Sequence, residues 1–372
     1  MIFQENLLQL LSGNKMILNL RKFIKVSMYF FINLLIFPSK NIKQKSILII
    51  RLDAIGDYVL FRNFIEILKK NKKYKDYKIS LLGNIDWKDL SIDLDSEYIE
   101  EFFWLERKRF HIDPVYRYKK LKEITTYGYE IVINPAYSGE YFFSSYMIIK
   151  LISANQKIGF NVNNERVVNK FYSKLINSKE NIIFEFDKNR DFFEKLLEEK
   201  LPIKKPFIKL KEKKLNFDLP RDYAIIFVGG STRYKKWDIK KYARVAKHLK
   251  TNYGYQIVLC GAVNDLDDSN YFKQYFNDEY LDLVGKTNIT GLLQVIDNGT
   301  IIVSGDTVAP HIAVALNMKN IFVISNRNAM ARFVPYPKNM FANYHVIINP
   351  EKEKYLDDFD MVLLSKRKEI SY

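Results

Sequence analysis

Ile47-Leu-Ile-Ile-Arg-Leu-Asp-Ala-Ile-Gly-Asp57 is the stretch on which the fold of this chain turns. Its apolar run through Leu52 reads as a strand buried on both faces. Gly56 then turns the backbone, and Asp57 stands where a helix over Tyr58–Lys70 is expected to begin. In open α/β sheets, ligands bind outside the carboxyl ends of the strands, beside the helix N-termini that follow them. Two readings of Asp57 therefore stand side by side. It is a helix N-cap, because a carboxylate accepts the orphan N–H groups there, or it is a reacting group.

The same alternation of apolar runs and helical stretches continues on both sides of a charge-dense segment with prolines at 202, 206 and 220. Strands are expected near Ile47–Leu52, Lys78–Leu82, Phe102–Leu105 and Glu130–Asn134, and again at Ala224–Val228, Gln256–Cys260, Ile301–Ser304, Asn320–Ile324 and Tyr344–Ile348. Helices are expected over Ser144–Ser153, Ile239–Thr251, Asp268–Phe276, Ile289–Asn298 and Ala309–Leu316. This pattern predicts α/β architecture with two Rossmann-like domains facing a central cleft, at 46–205 and 206–372, behind an extension at 1–45.

The 372 residues are enough for two cores, and a hydrophobic content of 48% is that of a globular chain. The single cysteine, Cys260, ends an apolar strand and reads as a core residue. A net charge of +16 attracts nucleic acid, anionic membrane or phosphorylated substrates without choosing among them. Lysine is scattered, and zinc-finger spacing, an RNA-binding aromatic signature and a helix-turn-helix are all missing from the sequence, so nucleic acid is not expected as a partner. The first 45 residues hold one acid, Glu5, against seven bases. Within them Val26–Phe37 is uncharged and apolar, too short for the roughly 20 residues of a membrane span. No small-residue cleavage site follows it. Either it lies in the plane of an anionic membrane or it docks on the protein itself.

Two segments of the second half have the parts of an anion site. Gly229-Gly-Ser-Thr-Arg-Tyr-Lys-Lys-Trp237 follows a strand and offers close backbone approach, the hydroxyls of Ser231 and Thr232, and the charge of Lys235. It lacks Walker A spacing, and a polar loop capped by Asp238 is the plain alternative. In Ser304-Gly-Asp-Thr-Val-Ala-Pro-His311, a strand ends at a turn carrying Asp306 and Thr307, with His311 at the start of the next helix. Such a helix start binds phosphate, and a histidine there can donate to the same oxyanion. An Asp/Thr cap with a packed histidine explains the same residues.

The chain resembles glycosyltransferase family 9, the ADP-heptose:lipopolysaccharide heptosyltransferase group. The resemblance rests on five ordered pieces: ILIIRLDAIGD at 47–57, SANQKIGF at 153–160, GGSTRYKKW at 229–237, GAVND at 261–265 and SGDTVAPHIAVAL at 304–316. It implies a GT-B fold and an inverting, metal-independent reaction on the cytoplasmic, inner face of the membrane. No cofactor is implied, since ADP-heptose is a co-substrate. On this resemblance Asp57 is the catalytic base, and Lys235, with Ser231 and Thr232, contacts phosphate. Asp265 holds the donor ribose where glutamate is more usual, while Asp306, Thr307 and His311 cradle the diphosphate. Val308 stands where the family has glycine, and Asp53 where it has a small or hydroxyl residue. The implied acceptor is a phosphorylated, lipid-linked glycan of the lipopolysaccharide type. Segments 102–111 and 116–120 either touch it or form an ordinary surface. Alternatives are another nucleotide sugar used in capsule or O-chain synthesis, or a catalytically idle nucleotide-sugar-binding protein.

Overall fold

A computed structural model describes residues 28–29, 31–136, 142–161, 169–179, 182–210, 217–230, 235–325, 331–341 and 343–348. The first half supplies β1 (Ile42–Arg51), β2 (Lys78–Asn84), β3 (Glu101–Leu105), β4 (Gly128–Asn134), β5 (Ala154–Phe160) and β6 (Lys174–Ile176). They form one sheet in the order β3-β2-β1-β4-β5-β6. The second half supplies β7 (Tyr223–Phe227), β8 (Gln256–Cys260), β9 (Leu281–Asp282), β10 (Ile301–Gly305), β11 (Asn320–Ser325) and β12 (Tyr344–Ile348). Their order is β12-β11-β10-β7-β8-β9, with every pair parallel. Counted from its own first strand, each sheet has the 3-2-1-4-5-6 order of a Rossmann fold. Its switch point falls beside that first strand, where ligands bind. The architecture is therefore α/β of the GT-B type.

Contacts divide the chain into two compact units that do not follow chain order. One holds residues 1–52, 77–85 and 101–175; the other holds 53–76, 86–100 and 176–372. All six strands of the first sheet precede the expected boundary at 205, and all six of the second follow it. Three early helices nonetheless group with the second sheet: α1 (Ile55–Val59), α2 (Asn63–Lys70) and α3 (Lys88–Asp95).

In the first unit, α4 (Arg107–Ile112), α5 (Pro114–Ile124) and α6 (Phe142–Leu151) accompany the sheet. Leu48, Ile50, Val132, Phe110, Leu121 and Ile148 share one buried cluster there with Tyr29, Ile32 and Ile36 of the N-terminal extension. β1 starts at Ile42, earlier than expected. A register break between Lys43 and Ile47 accommodates these residues, with Lys45 in the left-handed region at φ 49°.

In the second unit, α7 (Glu185–Leu197), α8 (Ile239–Tyr253), α9 (Leu266–Tyr275), α10 (Ile289–Asp297) and α11 (Val308–Ala315) surround the second sheet. Here α1 packs on α11, α2 on α7 and α3 on α10. The single helix expected over 58–70 is two helices. Between them Arg62 is buried, with its guanidinium on the Asp95 carboxylate at 2.7 Å and on the Phe207 carbonyl at 2.8 Å. The Tyr58 hydroxyl donates to Asp95 at 2.7 Å, and its ring stacks on Trp87 at 3.9 Å. This paired network fixes α1 from below, with its charges satisfied as burial demands.

Candidate active site

The first corner of the site is the turn from β1 into α1. Ala54, in extended conformation and without a side-chain capping bond, is the N-cap. Asp57 is the third residue inside the helix, so the capping reading does not hold for it. A carboxylate in the first turn still suits the helix dipole. Gly56 is closely packed: a Cβ there would lie 3.0 Å from Cδ2 of His311 and press the ring aside.

The second corner is the turn from β10 into α11. Thr307 is the N-cap, its hydroxyl accepting from the Ala309 N–H at 3.3 Å and lying 3.1 Å from Ser304 Oγ. Gly305 lets the Lys235 carbonyl approach, since a Cβ would meet that oxygen at 2.9 Å. Around these corners is a cavity of about 420 Å³ lined by Asp57, Lys235, Asp265, Asp306, Thr307, Val308 and His311 among others, all within the second unit. Ser231 and Thr232 lie outside the described residues.

His311 is 3% exposed, and its Nδ1 is 2.9 Å from the Tyr336 hydroxyl. Burial, reinforced by the Lys235 charge, pushes its pKa down to about 3. The ring is therefore neutral near pH 7. It presents a dipole to the cavity, and the positive charges come from lysines. The Tyr336 hydroxyl is itself held protonated by burial.

The two adjacent lysines have different fates. Lys235 lines the cavity beside His311. Lys236 Nζ pairs with Asp265 Oδ1 at 2.6 Å and with Asp268 Oδ2 at 2.5 Å. Burial pulls the Lys236 pKa down, but its hydrogen bonds to the two aspartates outweigh burial and the net shift is upward. Asp265 Oδ2 also accepts the Ala262 N–H at 2.8 Å, closing the turn Val263–Asp265. Each Asp265 oxygen thus has a protein donor and keeps acceptor capacity for a second one.

Sequence reasoning missed Arg332, whose guanidinium lies 3.1 Å from Glu185 and 3.9 Å from Asp57. It also missed Tyr336 and Phe333. Their available signal was position: they follow β11, beyond its carboxyl end. Of the proposed acceptor segments, Arg117 is wholly buried between the rings of Tyr29 and Phe110, so it is no surface contact. His111 Nε2 is 2.8 Å from Ser144 Oγ, and Arg109 pairs with Asp113 at 3.0 Å. Among the described residues, no group of three or more histidine, cysteine or acidic side chains is placed to hold a metal.

The family model for glycosyltransferase family 9 (heptosyltransferase) matches residues 117–358. Lipooligosaccharide heptosyltransferase 2 of Haemophilus influenzae is 33% identical over 87 residues, 22% of this chain and 25% of that protein. The match spans only about a quarter of that relative's length. Among solved structures, the E. coli heptosyltransferase WaaC with ADP superposes with a TM-score of 0.64 at 16% identity, covering 84% of this chain and 99% of that one. A family 9 glycosyltransferase from Veillonella parvula gives 0.62 at 17% identity, covering 85% and 91%. The E. coli ADP-heptose heptosyltransferase II gives 0.61 at 17%, covering 82% and 90%. At such identities the structures establish a shared fold.

Proposed function

The chain belongs to glycosyltransferase family 9 and is a glycosyltransferase, and from that premise we propose that it moves a heptose from ADP-heptose, with inversion, onto a phosphorylated lipid-linked glycan of the lipopolysaccharide type. The carrying observation is that Asp57 borders the same cavity as Lys235 and the start of α11. A carboxylate thus shares one cavity with a cation and a helix N-terminus, the groups an inverting displacement needs.

In this reading the acceptor hydroxyl attacks the anomeric carbon while Asp57 takes its proton. The bond from that carbon to the diphosphate breaks, and its electron pair leaves with the nucleotide. Lys235 and the Val308 N–H at the start of α11 meet that developing charge, since Pro310 has no N–H and that of Ala309 is taken by Thr307. In the tautomer where the Tyr336 hydroxyl donates to Nδ1 of His311, Nε2–H is left as a neutral donor toward the same oxygens. On the resemblance alone, Ser231 and Thr232 join this cradle. The Asp306 carboxylate suits sugar hydroxyls better than phosphate, which would repel it. Asp265 takes the ribose through the remaining acceptor capacity of its oxygens.

The acceptor's location is read from the N-terminal extension, where no described helix is long and apolar enough to cross a membrane. The segment around 29–37 has two apolar faces. Tyr29, Ile32 and Ile36 are buried in the first unit, while Phe31 is 63%, Leu34 56%, Leu35 60% and Phe37 84% exposed. Exposed Lys40, Lys43 and Lys45 follow. Apolar side chains beside lysines fit the inner, anionic surface of the cytoplasmic membrane.

Nucleotide release with a panel of nucleotide sugars and truncated lipopolysaccharide acceptors tests the transfer. ADP-heptose-dependent release that drops about 10²–10⁴-fold in Asp57→Ala, with nucleotide binding kept, is expected. Normal turnover by that variant refutes the base assignment, and preference for another donor refutes ADP-heptose. The membrane part stands if serine at positions 31, 34, 35 and 37 abolishes flotation with anionic vesicles. Undiminished flotation removes it.

A further inference from the structure

Asp57 sits in a helix of five residues whose N-cap makes no side-chain bond. So short an element does not by itself aim a carboxylate. Glu185 is 1% exposed, and a carboxylate so deeply buried needs a cationic partner. Arg332 supplies it through Nε at 3.1 Å from Glu185 Oε2, while the Glu185 N–H donates to the Arg332 carbonyl at 2.9 Å. These two bonds clamp residue 332 to the first turn of α7. The far end of the guanidinium, Nη2, then lies 3.9 Å from Asp57 Oδ1. Its plane rests on the Phe333 ring at 4.7 Å from the centroid, and Phe333 lines the cavity.

We propose that Arg332, anchored by Glu185, is a positioning residue that fixes the Asp57 carboxylate toward the acceptor hydroxyl. The inference rests on Asp57 being the base. Guanidinium is suited to the task because its planar fork reaches two carboxylates at once and is always charged. The spacing is equally apt. A distance of 3.9 Å attracts the carboxylate while remaining too long for a hydrogen bond. The Arg332 contact therefore orients Asp57 without occupying the oxygen that must accept a proton. A bidentate pair at closer range would engage a lone pair on each oxygen and make the carboxylate a weaker base.

The test uses the full-length protein with whichever nucleotide sugar supports turnover. Misplacement of a reacting group by about 1 Å costs on the order of 10²-fold, so Arg332→Ala is expected to lower kcat by about that factor with KM for the nucleotide sugar unchanged. Added guanidinium ion should restore part of the rate, and Arg332→Lys should keep more of it than Arg332→Ala. Glu185→Gln, which loosens the anchor and keeps the shape, should give a smaller fall in kcat. Thermal melting separates misfolded variants, and in a crystal structure of Arg332→Lys the Asp57 carboxylate should be rotated. A kcat within twofold of the parent overturns the proposal. So does a rise in KM alone, which would make Arg332 a donor contact, or a rate loss that guanidinium and lysine both fail to recover. If Asp57→Ala turns over normally, it is the base assignment that has failed.

Discussion

The two strand–turn–helix corners of the site use one backbone device for opposite charges. At the first, β1 runs into α1, the N-cap Ala54 makes no side-chain bond, and a carboxylate follows three residues later. At the second, β10 runs into α11, Thr307 caps the helix through its hydroxyl, and the next titratable side chain, His311, is buried and neutral. A glycine serves each corner, Gly56 for the His311 ring and Gly305 for the Lys235 carbonyl. The difference is electrostatic. One corner brings a negative group that can take a proton, and the other sets Lys235 and the Val308 N–H toward an anion, with the Asp306 carboxylate beside them for hydroxyl groups.

The largest expected break in this contrast is removal of the second corner's cation. Lys235 lines the cavity, and its charge is felt by His311. Loss of one fixed donor to a developing anion costs about 10²–10³ in kcat. Lys235→Ala is expected to fall in that range, measured as steady-state nucleotide release. Lys236→Ala should act differently, because Lys236 is committed to Asp265 and Asp268. Its loss should appear mainly in KM for the donor. Equal kcat losses in the two variants would erase the distinction between the lysines.

How legible these corners were differs too. The second sheet was readable almost strand by strand, since short apolar runs bounded by turn residues leave little choice. The placement of Asp57, Lys235, Asp306, Thr307 and His311 on one cavity follows from turns beyond strand ends, which the sequence pattern supports, whereas Asp265 was named on the family resemblance alone. Other features depend on tertiary contact and left no local trace. The break between α1 and α2 goes with Arg62 reaching Asp95 and Phe207. The amphipathic α7 was not among the expected helices, only its end being read at the start of the charge-dense segment from 195, yet it carries the buried Glu185. Nothing near residue 332 signals a partner 147 positions away. The pairing of β5 beside β4 was missed because its first half carries the polar Asn155, Gln156 and Lys157, the first two of them exposed.

A smaller effect comes from His311 through pH. An unfolded histidine takes a proton near 6.5, whereas the folded ring resists until about 3. Between those values the unfolded chain binds one more proton, so stability falls as pH falls through the window. The contribution approaches about 1.4 kcal/mol per pH unit. Denaturant unfolding from pH 7 to 4.5 should therefore be steeper in the parent than in His311→Gln. Parallel curves would mean that the folded ring takes its proton as readily as the unfolded one, and that burial does not hold it neutral.

The smallest expected effect separates capping from catalysis at that corner. Thr307 Oγ1 accepts the Ala309 N–H at 3.3 Å, a long bond for a cap. Replacing a capping threonine by alanine costs about 1 kcal/mol. Thr307→Ala should lower stability by that amount or less, while Thr307→Ser retains it. If the hydroxyl serves only the cap, kcat follows stability and both variants turn over normally at 25 °C. If it also donates to the departing diphosphate, Thr307→Ala loses rate well beyond its loss in stability. The first corner offers no counterpart to this test, because Ala54 has no capping oxygen to remove.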